Sequence, residues 1–574
     1  MVNNTTKRSA RMIASLLARS GISDAVLSPG SRDVPLIVAL ERQPGIATRV
    51  VVDERSAAFI ALGISIASGN PVAMVCTSGT APLNYAPALS EAFYQHIPLI
   101  AITADRPSEW IGQDDSQTII QPGIFENFTK GTFDIPVESD DPDRMWYINR
   151  SLNDAINTAT SGIPGPVHIN MHFSDPLGET AEIEEPDIFG ADSRYIERGY
   201  VPHDMSSLFE ELGARMAPPA RILIVAGYMK PDNGLSPMLC ELSRHPNIVV
   251  TQEAQSCLHG YGAFITNVDT TLRCAGKDNL PVPDIVITLG GSLTSALMKS
   301  YLRRLPATTE HWSINAGERC VDTFRRLTRI VACDEHTFIN GICRHIPRRK
   351  DGVATTFKTS WLDASATAGR LTAEALYMAP WSDFKAMGRI MAALPKNWWL
   401  HIGNGMAVRY LQCFDYGKAC NVSCNRGVSG IDGSTSTAIG VASACGDSRP
   451  VILISGDMSM QYDIGALATA DMPANLKIIV INNGGGGIFR FIKTTRDLDE
   501  LDRCLACEIK LPLKKLAQAF GFRYYCATDS AELEASMKRL TSSTTTPVIL
   551  EVVTDGTVSA GVFTDYLKNK LTAI

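Results

Sequence analysis

Short, uninterrupted runs of Val, Ile, Leu and Ala recur along this chain of 574 residues, each followed by a stretch long enough for one amphipathic helix. A strand with water on one face alternates apolar and polar side chains, whereas a strand covered on both faces need not. The pattern therefore predicts an α/β fold of parallel sheets with helices on either side. Strands are expected at 24–28, 48–53, 72–77, 99–104 and 167–171, then at 222–226, 248–251, 285–289 and 312–315, and finally at 399–402, 451–455, 477–482 and 548–553. Residues 1–21, with Lys7, Arg8, Arg11 and Arg19, read as the first helix rather than a targeting segment, because no apolar core follows the charges. An acidic, proline-containing stretch at 182–187 and a Lys/Arg-rich one at 348–359 read as linkers. Three doubly wound domains with parallel central sheets follow, over 1–180, 190–350 and 370–574.

The first and last of these share an internal echo. Pro71–Gly79 leads through a helix to a strand beginning at Pro98, and Pro450–Gly456 leads through a helix to one beginning at Leu476. Two domains of one topology are expected.

Composition narrows the partners. With 45% hydrophobic and 20% charged residues the chain is an ordinary globular one, and a net charge of -7 gives no reason to expect nucleic acid. No apolar run approaches the roughly 18–20 residues that span a bilayer. The 14 cysteines are scattered, which fits a reducing compartment and a cytoplasmic enzyme. Cys504 and Cys507 form a CxxC, but with no second pair or nearby His to complete a zinc site a structural role is expected.

The sharpest chemical signal is Gly456-Asp457-Met458-Ser459, with Asn483 following Asp457 by 26 positions in Asn482-Asn483-Gly484-Gly485. Both pieces sit at predicted carboxyl ends of strands, where open α/β sheets hold ligands. A hard divalent cation on a diphosphate takes a carboxylate, an amide oxygen and a backbone carbonyl. Asp457, Asn483 and the carbonyl of Gly485 offer that set, and the glycines from 484 to 487 let the backbone approach a diphosphate. Each piece alone reads as a turn or a helix cap. Their spacing on consecutive strand ends favours the cofactor site.

The pair resembles the thiamine-diphosphate-binding motif, and the resemblance demands a glutamate from the other catalytic domain. Glu54, opening a helix after the strand that ends at Asp53, matches it. Its implied task is a hydrogen bond to the aminopyrimidine ring that favours the imino tautomer, so that the cofactor loses its thiazolium C2 proton. A partly buried carboxyl group in that place is expected to have a raised pKa. Without the second motif, Glu54 would read as a first-turn glutamate favoured by the helix dipole.

Further stretches carry a closer resemblance: Ser28–Arg32, Cys76–Ala81, Thr103–Pro107, Asp115–Gly123, Gly403–Arg409 and Asn425–Gly433. Together they look like the MenD family, the 2-succinyl-5-enolpyruvyl-6-hydroxy-3-cyclohexene-1-carboxylate synthases of menaquinone biosynthesis. The resemblance implies a transferase using thiamine diphosphate with Mg²⁺ or Mn²⁺. It decarboxylates 2-oxoglutarate and adds the succinyl-semialdehyde carbanion to isochorismate. Both substrates are dianions, and Arg presents planar paired donors suited to carboxylates. Arg32, Arg106, Arg409 and Arg426, each expected in a Gly- or Pro-marked loop, would supply them, with Gln117 orienting a reacting hydroxyl or carboxylate. Ser31, Gly405, Met406, Ser429 and Ile431 would line the cofactor, Ile431 wedging its two rings. Gly456, Asp457, Met458, Ser459, Asn483, Gly485 and Gly486 would hold the diphosphate and metal, and Ile488 and Phe489 an apolar wall. The implied assembly is a homodimer or homotetramer, with Glu54 and Asp457 serving one cofactor from different subunits.

Two features depart from the family. Ala296 stands where a basic residue is usual, leaving Lys299 or Arg303 as substitutes, and Gly405 replaces a hydroxyl residue of some relatives. An acetolactate-synthase-like carboligase or decarboxylase is the nearer alternative, and the four arginines argue against it. A non-catalytic scaffold is the farther one, and Glu54 with Asp457 argue against that.

Overall fold

A computed structural model describes residues 2–568 and 570, except 185–192, 199–203, 233, 259–261, 277–278, 318–319, 347–353, 415, 417–420, 509 and 543–545. The chain divides into two compact units. One comprises residues 1–201, 425–450 and 462–476; the other comprises 202–424, 451–461 and 477–574.

The first unit holds an antiparallel pair, β1 (Val2–Thr5) with β8 (Thr180–Ile183), and a six-stranded sheet. The sheet's strands are β2 (Asp24–Leu27), β3 (Ala47–Val50), β4 (Val72–Cys76), β5 (Leu99–Asp105), β6 (Thr132–Ile135) and β7 (Val167–His172), in the order β3-β2-β4-β5-β7-β6. The second unit holds two sheets. The middle one runs β10-β9-β11-β12-β13, from β9 (Ile222–Ala226), β10 (Ile248–Gln252), β11 (Ile285–Leu289), β12 (Glu310–Ile314) and β13 (Leu327–Val331). The last runs β15-β14-β16-β17-β19-β18, from β14 (Trp399–Ile402), β15 (Asn421–Ser423), β16 (Val451–Gly456), β17 (Leu476–Asn482), β18 (Arg523–Ala527) and β19 (Val548–Val553). Apart from β1 with β8, the described pairings are parallel.

Renumbered from their own first strands, the first and last sheets have one order: second, first, third, fourth, sixth, fifth. The repeated strand–helix–strand spacing thus reflects a shared topology. In both sheets the chain leaves in opposite directions from two adjacent strands, β2 and β4 in one, β14 and β16 in the other. Such a switch point opens a crevice at the carboxyl ends. β4 and β5 are buried along their whole length, which explains why their sequences do not alternate apolar and polar side chains.

Several expectations need correction. The first helix is Arg8–Arg19, because Val2–Thr5 is strand β1. Glu182 lies in β8, so that part of the expected linker is ordered strand; residues 185–187 lie outside the described residues, as do 348–353 of the second linker, and helix Thr356–Met378 begins soon after. The strand expected to reach Asp53 stops at Val50, and Asp53 instead caps helix Glu54–Ser68, accepting from the Arg55 amide at 3.1 Å. Strands β6, β13, β15 and β18 were not expected. All four are sheet edges whose apolar runs are short or broken by polar residues, such as Asp134 in β6, Arg329 in β13, Asn421 and Ser423 in β15 and Arg523 in β18.

Candidate active site

One group of candidate residues lies on the loops at the carboxyl edge of the first sheet. The turn after β2 carries Ser31, which is exposed, and Arg32, which is half-buried. The Arg32 amide donates to Thr77 Oγ1, just after β4, at 3.3 Å. Its guanidinium donates to the Phe173 carbonyl at 3.1 Å and lies 3.5 Å from Asp175, both after β7. Burial lowers the Arg32 pKa, and the next contribution is repulsion from Arg106, so two cations face one region. Arg106 follows β5, its Nε donating to the Asp115 carbonyl at 2.8 Å and lying 2.9 Å from the Asp115 carboxylate. Gln117 stands in a turn with φ of 24°; its amide donates to the Ser78 carbonyl at 3.0 Å, and Ser78 Oγ returns a bond of 3.0 Å to the Gln117 carbonyl. Arg32, Arg106 and Gln117 are thus gathered around the loop after β4.

Glu54 is the first residue of helix Glu54–Ser68 and is half-buried. Burial raises its pKa, and the neighbouring Asp53 acts in the same direction against a backbone hydrogen bond that lowers it. A residue that sequence reasoning missed lies close by: Asp33 is fully buried, and burial pushes its carboxyl up to about 7.

The loop with Arg426, Ser429 and Ile431 belongs to the same compact unit. Arg426 and Ile431 are half-buried, while Ser429 is exposed with φ of 66°. Its anchor was also missed. Glu91 is buried to 1% exposure, and its carboxylate accepts from the Gly427 amide at 2.5 Å and the Val428 amide at 2.8 Å. Only a lone glutamate on an amphipathic helix is visible in the sequence at that position.

A second group of candidate residues lies at the carboxyl edge of the last sheet. Asp457 opens a short helix after β16 and is 1% exposed. One carboxylate oxygen accepts from the Met458 amide at 2.7 Å, the other from the amides of Gly484 and Gly485 at 2.9 and 2.8 Å. Gly485 has φ of 140°, and a Cβ there would lie 2.3 Å from the Ala506 carbonyl oxygen, so this position excludes any side chain. The Gly486 amide donates to the same carbonyl at 2.7 Å. Ala506 lies between Cys504 and Cys507, whose thiols are both exposed, and no group of three or more His, Cys, Asp or Glu among the described residues could hold a metal. The CxxC segment therefore braces the glycine loop through its backbone. Gly456 and Met458 are half-buried and Ser459 is buried, while Ile488 and Phe489 sit half-buried on helix Gly487–Phe491 beside that loop.

Asp457 is tied through its carboxylate to the Gly484 and Gly485 amides, and Asn483 directly precedes them in the chain. Asn483 Oδ1 is buried with no hydrogen-bond partner among the described residues, while burial pushes the Asp457 carboxyl up to about 6. An orphaned amide oxygen near a buried carboxylate, paired with no cation among the described residues, is what a hard divalent cation would satisfy. The residues fit such an ion.

Arg409 is not in a loop. Gly405, with φ of 86°, turns the chain straight into helix Met406–Leu411, whose residues are good helix formers, and Arg409 stands in its last turn donating to the Gly405 carbonyl. Gly405 and Met406 are half-buried. Of the two substitutes for the missing base at Ala296, Arg303 is exposed and donates to the Thr323 carbonyl at 3.0 Å. Lys299 lies on the Arg409 side: burial raises the pKa of Asp269, and the charges of Arg273, Arg409 and Lys299 act against that rise.

Comparison with known proteins bears on both groups. Residues 7–124 match the family model described as thiamine pyrophosphate enzyme, N-terminal TPP binding domain, and residues 404–552 match its C-terminal TPP binding domain. A 2-succinyl-5-enolpyruvyl-6-hydroxy-3-cyclohexene-1-carboxylate synthase of Porphyromonas gingivalis is 37% identical over 98% of this chain and 96% of its own length. Enzymes of the same name from Flavobacterium psychrophilum and Bacteroides fragilis are 36% and 34% identical, each over 98% of this chain and 98% and 99% of their own lengths.

Proposed function

The chain belongs to the thiamine-diphosphate-dependent 2-succinyl-5-enolpyruvyl-6-hydroxy-3-cyclohexene-1-carboxylate synthase family, and from that premise we propose how its residues divide the work. The reaction is decarboxylation of 2-oxoglutarate and joining of the remaining four-carbon unit to isochorismate, a step of menaquinone biosynthesis.

Bound thiamine diphosphate supplies the carbon nucleophile and the electron sink for loss of CO2. Asp457, Asn483 Oδ1 and the Gly485 carbonyl hold the Mg²⁺ or Mn²⁺ that carries its diphosphate. The single observation behind this is the buried, unpartnered Asn483 oxygen beside a buried carboxylate. Gly456, Met458, Ser459 and Gly486 shape the backbone around the diphosphate, and Ile488 and Phe489 exclude water from it. Glu54 holds a proton at the aminopyrimidine nitrogen, a task suited to a carboxyl whose pKa burial has raised. Ile431, with Ser31, Gly405, Met406 and Ser429, lines the rings.

Arg32 and Arg106 bind substrate carboxylate, and mutual repulsion between them is relieved when a dianion enters. Arg409 and Arg426 bind the second dianion, while Gln117 orients its hydroxyl or carboxylate. Two copies of the chain form the smallest active unit, Glu54 of one and Asp457 of the other serving one cofactor, as a dimer or a dimer of dimers. A cytoplasmic setting suits the 14 scattered cysteines, which a reducing compartment keeps as thiols.

The test is isochorismate consumption with Mg²⁺, thiamine diphosphate and 2-oxoglutarate, beside Glu54→Gln and a pyruvate-only control. Consumption that needs 2-oxoglutarate and falls about a hundredfold or more in Glu54→Gln supports the reading. Acetolactate formed from pyruvate, without isochorismate loss, would replace it with the carboligase alternative.

A further inference from the structure

Asp383 is the first residue of helix Asp383–Ala393, where a carboxylate ordinarily serves the helix dipole. Its surroundings do not fit that role. Ser382 caps the helix, accepting from the Lys385 amide at 3.4 Å, and Asp383 is 2% exposed. Both of its carboxylate oxygens are spent on residues at the ends of distant strands. Oδ1 accepts from Thr554 Oγ1, after β19, at 2.5 Å; Oδ2 accepts from Asn483 Nδ2, after β17, at 2.7 Å. The Asp383 amide in turn donates to Ser559 Oγ at 2.9 Å. Burying a carboxylate against two polar side chains is costly unless it serves the groups it touches.

A primary amide has two faces that differ only in sign: one donates, one accepts. A carboxylate can only accept from it. Asp383 therefore fixes which way the Asn483 amide faces, with its nitrogen turned inward and Oδ1 left buried and unpartnered among the described residues. We propose that Asp383 is a positioning residue that presents the Asn483 oxygen to the divalent cation of the cofactor site. It acts through Asn483 and touches neither metal nor substrate. Partners of this kind, behind a metal ligand, typically change metal affinity by about 10–100-fold when removed. The inference rests on the cofactor-site reading above.

The experiment is Mn²⁺ binding by the full-length protein with thiamine diphosphate present, read from the electron paramagnetic resonance signal of the free ion. Asp383→Leu, similar in size but unable to accept, should weaken Mn²⁺ binding at least about tenfold in the wild-type background. In the Asn483→Ala background the same change should cost nothing further, because the group it positions is gone. Asp383→Asn keeps an acceptor for Asn483 Nδ2 and should bind within about threefold of wild type. An equal loss from Asp383→Leu in both backgrounds would mean a merely structural role and overturn the proposal. A loss of about tenfold or more in Asp383→Asn would overturn it too, whether or not the leucine variant folds, since charge and not amide orientation would then be the cause. Asp457→Asn is the control: if it binds Mn²⁺ as wild type does, the cofactor-site reading itself fails, and this inference with it.

Discussion

Gly63 and Gly440 make room for each other's helices. A Cβ on Gly63 would lie 2.1 Å from the Thr437 carbonyl oxygen, and a Cβ on Gly440 would lie 2.1 Å from that of Ile60. Helices Glu54–Ser68 and Ser434–Cys445 therefore cross at backbone contact, with Glu54 on the first turn of one of them. The opposing atoms are backbone and cannot swing aside. Gly440→Ala should cost about 1–3 kcal/mol or more through overpacking. Thermal unfolding followed by circular dichroism would show a lowered midpoint or no soluble protein; an unchanged midpoint would refute the close crossing.

Asp33 predicts a pH dependence. Burial raises its pKa from 3.8 to about 7, with Glu54, Cys76 and Tyr85 as titratable neighbours. The folded protein then holds a proton that the unfolded chain releases, so the stability tied to the protonated form is complete below the unfolded pKa and is lost as pH rises through the folded one. Asp33→Asn, neutral throughout, should gain stability over wild type from about pH 4 to about pH 7 and keep a constant lead above that. Parallel melting curves at all pH values would show that Asp33 is not the titrating group.

Glu91 anchors the loop that carries Arg426 through two backbone amides. Glu91→Ala removes the buried carboxylate that both amides donate to and should destabilise the protein by about 1.5–3 kcal/mol, the range for hydrogen bonds to a charged group. The loosened loop should raise KM for the dianionic substrates more than it lowers kcat. A fall in kcat with unchanged KM would place Arg426 outside substrate binding.

Arg32→Lys preserves charge but not the planar fork held by Phe173 and Asp175. Loss of one charge-assisted hydrogen bond costs about 1.5 kcal/mol, roughly a tenfold rise in substrate KM. Thiamine diphosphate affinity should not move. If it weakens along with substrate binding, the loop after β2 belongs to the cofactor rather than the substrate.

What could be read from sequence followed burial. Central strands such as β4, β5 and β17 are mostly apolar and are legible, whereas the short edge strands β6, β13, β15 and β18, broken by polar residues, are not. The Asp457 and Asn483 pair was visible because its spacing is set by one strand–helix–strand unit. Asp383 was not, since its bond to Asn483 joins residues 100 positions apart and its own sequence, Ser382-Asp383, has the look of an ordinary helix start. Glu91 and Asp33 were hidden for a related reason: each is defined by what it meets in space. Arg409 was misplaced because Gly405 reads as a loop residue, while here its positive φ begins a helix.

The order of the last sheet bears on how the protein is made. Strand β19 lies between β17 and β18, yet it is the last of the six to leave the ribosome. Until it arrives, β18 has no neighbour in the sheet, and Thr554, which secures one oxygen of Asp383, has not been synthesised. The pair of side chains that holds the Asp383 carboxylate is therefore complete only once residue 554 has been added. A chain arrested before β19 would carry a sheet with an exposed strand edge and an Asp383 short of one of its two side-chain partners.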